Sequence, residues 1–260
     1  MTKSQILNAT LMRSLVSVAA VAMPLLMPTI ARASVSSHAT QAGSGTLQST
    51  KEALELPLAE RLQALKGDAH SYENLKTLMF TKATSMDVRW KAVTAAGRVG
   101  GAKAKADMVR ALTAPEWFMR NAGLIALTTL DRAESLSWAK KLMSDKSLVV
   151  RAAAVDVISQ NHDSASANLL WTKLYAKENY RNRQSLFIRR RIVEALAEFD
   201  GAGHEAKFVA LLQDKDDSLH EPAMEALERI TKHTVGNPGE PTQFRRAQWQ
   251  QWYKANKVSL

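Results

Sequence analysis

Metal ligation or acid–base chemistry in this sequence would start from six histidines, His38, His70, His162, His204, His220 and His233. No two of them stand as His-x-x-x-His or His-Glu-x-x-His, the spacings that place a metal-binding pair on one helical face. The chain has no cysteine, which removes disulfides, thiolate nucleophiles, thiolate zinc sites and iron–sulfur ligation. The carboxylate pairs Asp216 with Asp217 and Glu225 with Glu228 fall on a face that reads as solvated, whereas acid–base catalysis needs a cleft that shifts their pKa values. Gly97-Arg-Val-Gly-Gly101 imitates a phosphate loop but lacks the preceding strand and the Gly-Lys-Ser/Thr ending, so it reads as a turn. No Gly-x-Ser-x-Gly elbow occurs. The expectation is therefore no catalytic residue, no cofactor and no metal, and the chemistry left to consider is recognition by basic and aromatic side chains.

Those side chains recur with a beat. Arg89, Arg120, Arg151, Arg189 and His220 are separated by 31, 31, 38 and 31 residues, and each opens a similar segment: Val88-Arg-Trp-Lys-Ala-Val93, Met119-Arg-Asn-Ala-Gly-Leu124, Val150-Arg-Ala-Ala-Ala-Val155, Ile188-Arg-Arg-Arg-Ile-Val193 and Leu219-His-Glu-Pro-Ala-Met224. A fixed period of this size marks a repeat array. Three, four and seven residues after each lead stand Ala92, Val93 and Ala96; Gly123, Leu124 and Leu127; Ala154, Val155 and Ile158; Ile192, Val193 and Leu196; Ala223, Met224 and Leu227. Those offsets share one helical face and read as core. Ahead of each lead helix lies another amphipathic segment, at residues 72–82, 102–112, 134–143, 164–175 and 203–212. Each unit is then a helical hairpin that must stack on its neighbours to bury its apolar face.

The glycines at 97, 100, 101, 201 and 203 read as turns between units, and the longer interval is explained by an insertion around residues 175–183 that lengthens a helix and its turn. Residues 52–65, leucine-rich and interrupted by Pro57, read as a capping helix kinked or restarted there. At the other end, Phe244, Gln248 and Trp252 share a face, with Trp249 and Tyr253 beside it; this tail serves as a packing cap or as an aromatic platform for carbohydrate.

Val88-Arg89, Val150-Arg151, the turn acid Asp145 and the small residues Ala92, Ala122, Ala153 and Ala223 resemble the HEAT repeat family, in particular its short bacterial units, over about residues 71–233. The resemblance implies an all-α fold: an αα-solenoid of about five HEAT-like hairpins with a helical C-terminal cap at residues 242–260. It also implies a ladder of turn acids and Val-Arg arginines. Asp145 and Asp214 precede their leads by six residues, but the matching positions before Arg89, Arg120 and Arg189 are Ala83, Ala114 and Arg183. Only part of the ladder is expected, which leaves these arginines to bond helix-end carbonyls or to contact a ligand.

In HEAT-like stacks the second helix lines the concave side, which selects the residues one and five after each lead as a protein-binding row: Trp90, Thr94, Asn121, Ile125, Ala152, Asp156, Arg190, Glu194, Glu221 and Glu225. Trp90 and Ile125 are its apolar anchors and Arg190 its partner for an acid. Arg181, Arg183, Arg189 and Arg191 form a candidate basic patch for an acidic protein or an anionic envelope surface; Phe187 alone gives no stacking platform for nucleic acid.

The chain has 260 residues, 46% hydrophobic and 23% charged, with net charge +10, enough to build a large core. Residues 1–33 carry Lys3, Arg13 and Arg32 but no acid, an apolar run over 15–30 broken by Pro24 and Pro28, and the ending Ala31-Arg-Ala33. That pattern reads as a secretory signal peptide better than as a membrane anchor or a structural helix; its removal leaves net charge +7. Residues 34–50, rich in Ser, Thr, Gly and Gln, read as a flexible leader before a domain at 51–260. Export without disulfides fits a Gram-negative periplasm. The expected function is a monomeric, non-catalytic scaffold or adaptor for a protein or peptide, with no integral membrane segment after cleavage and no nucleic-acid partner. The alternatives are an enzyme-associated or lyase-like maturation factor, since HEAT-like families include bilin lyases, and a structural envelope protein touching peptidoglycan.

Overall fold

Arg132 to Leu142 form a helix because Asp131, in extended conformation, accepts the Glu134 N–H at 2.9 Å, filling one of the donors that a helix start leaves open. Thr46 and Ser85 do the same for Ser49 and Val88. The computed structural model describes residues 45–199, 203–237 and 239–256; the segment read as a signal peptide lies outside them. Thirteen α-helices are present among the described residues: α1 (Leu47–Glu55), α2 (Leu58–Lys66), α3 (Ser71–Phe80), α4 (Met86–Val99), α5 (Lys105–Leu112), α6 (Trp117–Thr128), α7 (Arg132–Leu142), α8 (Leu148–Gln160), α9 (Ala167–Leu174), α10 (Ile188–Ala197), α11 (Glu205–Leu211), α12 (His220–Thr231) and α13 (Thr242–Asn256). The fold class is all-α.

The paired pattern of contacts follows the sequence beat. Helices α3, α5, α7, α9 and α11 each pack on the lead helix that follows, and the lead helices α4, α6, α8, α10 and α12 pack on one another in chain order. Every position at offsets three, four and seven is buried. Two glycines set how closely these helices approach. Gly97 lies inside α4 and not in a turn: a Cβ there would sit 2.7 Å from the Ala126 Cβ and 3.1 Å from the Ala126 carbonyl of α6. A Cβ on Gly123 would meet the α5 backbone at 3.1 Å.

Three details depart from the sequence-based expectation. Helix α1 begins at Leu47, inside the span read as leader, because Thr46 caps it and Leu54 is fully buried; Pro57 then restarts the chain as α2. The insertion does not lengthen a helix. It forms a two-stranded antiparallel ribbon, β1 (Tyr180–Arg181) with β2 (Gln184–Ser185), paired Tyr180 to Ser185 and Arg181 to Gln184. Asn182 and Arg183 turn it with φ of 51° and 66°, the doubly left-handed conformation that matches strand twist in a two-residue hairpin. At the end of the chain α13 packs on α11 and α12, but through Arg245 and a fully buried Trp249, while Phe244 is 56% exposed. The packing face is rotated by one residue from the expected Phe244–Gln248–Trp252 stripe; Trp252 is partly buried against His233, ring centroids 4.9 Å apart.

Candidate functional site

The lead arginines are structural. Arg89, Arg120, Arg151 and Arg189 are all buried, and each reaches forward into the turn of the next unit. Arg120 holds both oxygens of Asp145, Nε to Oδ2 at 2.6 Å and Nη2 to Oδ1 at 2.8 Å. Arg189 pairs with Asp214 at 2.6 Å and Arg89 with Glu116 at 2.9 Å. Arg151 donates to the Asn179 side chain at 3.0 Å and the Glu178 carbonyl at 2.6 Å. The partial ladder expected from residues six positions before each lead is thereby corrected. The acidic and amide acceptors lie 25–28 residues after the arginine, so the lack of an acidic side chain at 83 and 114 does not break the ladder. The remaining guanidinium donors satisfy carbonyls at the preceding turn: Ala114 and Pro115 for Arg120, Asp145 and Lys146 for Arg151. His220 stands in the last such place; its Nε2 donates to the Asp214 carbonyl at 3.0 Å and its Nδ1 faces Arg246.

Electrostatics agree with this geometry. The Arg89 hydrogen bond holds the Glu116 carboxyl below the usual range. Burial alone would push Asp145 and Asp214 up, but Arg120 and Arg189 outweigh it and hold both carboxyls low.

The candidate basic patch is dissolved by the same contacts. Arg189 is 1% exposed and bound inside the fold. Arg191 points to α8, where Asp156 takes its guanidinium. Arg181 and Arg183 remain exposed on the ribbon, and Arg183 shares a hollow of about 820 Å³ with Asp214, Asp216 and Asp217. Spacing in sequence suggested one patch; the helical period of α10 and the ribbon send its members to three places.

The row of recognition residues fares differently. Trp90, Thr94 and Ile125 line one hollow of about 270 Å³ with Leu58, Arg61 and Arg98, between α2, α4 and α6. Asn121, Ile125, Ala152 and Asp156 line a second, of about 350 Å³, with Val149, Phe187 and Arg191, between α6, α8 and α10. Ile125 belongs to both and forms the ridge between them. Trp90 is half-buried and donates from Nε1 to the Asn121 Oδ1 at 3.2 Å, so Asn121, itself buried, is occupied in fixing the indole. Thr94 turns its hydroxyl back to the Trp90 and Lys91 carbonyls. Arg190 and Glu194 lie in neither hollow and pair with each other at 2.7 Å on the exposed side of α10. Burial, partly offset by Arg191, pushes the Asp156 carboxyl above its usual range, and burial with neighbouring Glu221 does the same to Glu225.

Three large, exposed apolar residues of these hollows were outside the expected row: Leu58, Val149 and Phe187, at 52%, 45% and 55% exposure. Leu58 belongs to a segment read only as a cap, while Val149 and Phe187 each precede their lead arginine by two. Their common signal is a large apolar side chain beside, but not on, the buried offsets.

Among the described residues no three of His, Asp and Glu gather as they would around a metal ion, and no helix is long and apolar enough to cross a membrane. Compared with protein-family models and with curated proteins, the chain finds no match.

Proposed function

We propose that this chain is a HEAT-like α-solenoid and works as a non-catalytic scaffold that binds a protein or peptide segment, in the periplasm, along the face formed by its lead helices. The observation that carries this is the row Leu58, Trp90, Ile125, Val149 and Phe187: large apolar side chains at the rims and floors of two hollows that share Ile125. Four of the five remain more than a third exposed, where a folding core would have buried them. Contiguous apolar surface with polar edges marks an interaction site, and a repeat array supplies affinity by summing one local contact per unit.

Capture from a periplasmic extract tests the proposal, comparing the unaltered protein with an Ile125→Ser, Phe187→Ser variant. Both side chains are exposed, so helicity by circular dichroism should be unchanged; Trp90 is unsuitable because it packs on the core. Loss of one stoichiometric partner is expected. Equal recovery of every protein from both forms contradicts the proposal.

A further inference from the structure

The two hollows differ in charge. In the α6–α8–α10 hollow the cation Arg191 is already neutralised by Asp156. In the α2–α4–α6 hollow two arginines stand at the rim, and among the described residues no carboxylate lies within ion-pair distance, 4.0 Å, of either. Arg61 is held in place by its own fold: its Nε and Nη2 both donate to the Leu56 carbonyl, at 3.2 and 2.9 Å, which leaves Nη1 open. Arg98, in the last turn of α4, is exposed, and its guanidinium makes no hydrogen bond to another described residue. Exposed arginines elsewhere, Arg110, Arg181 and Arg183, also lack a carboxylate partner among the described residues; what distinguishes Arg61 and Arg98 is that both line one hollow whose floor is the apolar Leu58, Trp90 and Ile125.

We infer that the α2–α4–α6 hollow recognises a protein segment in which an apolar side chain adjoins an Asp or Glu carboxylate. The apolar group seats on Leu58, Trp90 and Ile125, and the carboxylate is met by Arg61 and Arg98. Guanidinium donors with no internal acceptor favour an anion over a neutral or basic partner. The row continues across Ile125 to Val149 and Phe187, which a peptide can follow and a compact anion cannot. Because the second hollow is internally neutralised, the acidic end of the segment lies over α2 and α4 and the apolar end over α8 and α10. This gives the segment a direction along the face. The inference rests on the peptide-binding face proposed above.

Fluorescence anisotropy with the full chain tests it. The probe is a labelled synthetic peptide of leucine, alanine and glutamate with its glutamates grouped at one end, beside its glutamine counterpart. The glutamate peptide should bind about tenfold or more tighter, the size expected for charge-assisted hydrogen bonds. Arg98→Gln and Arg61→Gln should each reduce that preference, while Ile125→Ser should weaken both peptides. Equal binding of the two peptides with the Ile125 dependence intact overturns the acidic inference and leaves the apolar face standing. A glutamate preference that survives both arginine substitutions assigns it to the overall charge of +10 and also overturns it. Binding of both peptides that is indifferent to Ile125→Ser removes the face itself. A chain that sediments alone as a dimer, dissolved by Ile125→Ser, gives the face to a second copy and overturns the inference.

Discussion

Arg120 and Asp145 meet side on, with two parallel hydrogen bonds and less than a tenth of either side chain exposed. Truncating one member leaves a buried charge without its partner. Arg120→Ala is therefore expected to lower the unfolding free energy by about 3–5 kcal/mol, read by urea denaturation. Replacing both members by apolar residues of similar size should cost far less, because the desolvation of two ions is then avoided. The same pairs set the acid limit of the fold. Glu116, Asp145 and Asp214 all titrate below their ordinary values, so the unfolded chain binds more protons than the native one at acid pH. Their stabilisation is complete above the unfolded carboxylate range, about pH 4, and is lost as pH falls through the lowered native values. Asp156 runs the other way: its raised value means that ionisation opposes folding and that protonation relieves it. Urea midpoints measured between neutral and acid pH should fall less steeply in Asp145→Asn than in the unaltered protein and more steeply in Asp156→Asn. At this scale the sequence exposed the leads by their period but not their partners. An arginine's reach spans a turn boundary, and the acceptors vary from Glu116 to Asp145 to Asn179 in type and spacing.

Helix α4 lies against α6 at a distance set by the missing side chain of Gly97. A methyl group there meets backbone as well as the Ala126 side chain, and neither can step aside without moving a helix. Gly97→Ala is expected to destabilise by about 1–3 kcal/mol, the cost of overpacking, against the gain a Gly-to-Ala change brings in an open helix. The ribbon gives the opposite sign. Arg183 holds φ of 66°, a conformation that costs a residue with a Cβ about 1–2 kcal/mol. Arg183→Gly should raise the melting temperature of the chain and, since Arg183 lies away from both apolar hollows, leave peptide binding unchanged. Element positions were legible because apolar offsets of three, four and seven have only one regular solution. Gly97 misled because a glycine needed for contact and one needed for a turn look alike in sequence. The ribbon was hidden because Tyr-Arg-Asn-Arg-Gln-Ser has no apolar alternation long enough to signal a strand.

Across the whole chain, the lead helices present a face that their own packing does not consume. The sequence period selected Trp90, Thr94, Asn121, Ile125 and Asp156, and the fold brings these to two adjoining hollows. The period could not select Leu58, which lies outside the repeating segments and reaches the face only through tertiary packing; Val149 and Phe187 share an offset two before their leads that the one-and-five rule passed over. Arg190 and Glu194 satisfied the spacing rule but settle their charges on each other. Side-chain footprinting with hydroxyl radicals tests the binding face most directly, because it reads Leu58, Trp90, Ile125 and Phe187 themselves. Trp117, Tyr175 and Phe244 are 41%, 54% and 56% exposed and lie outside both hollows, which makes them internal controls. With the glutamate peptide bound, labelling should fall at the four face residues and stay constant at the three controls. Protection of Tyr175 or Phe244 with undiminished labelling at Ile125 and Leu58 would contradict the account.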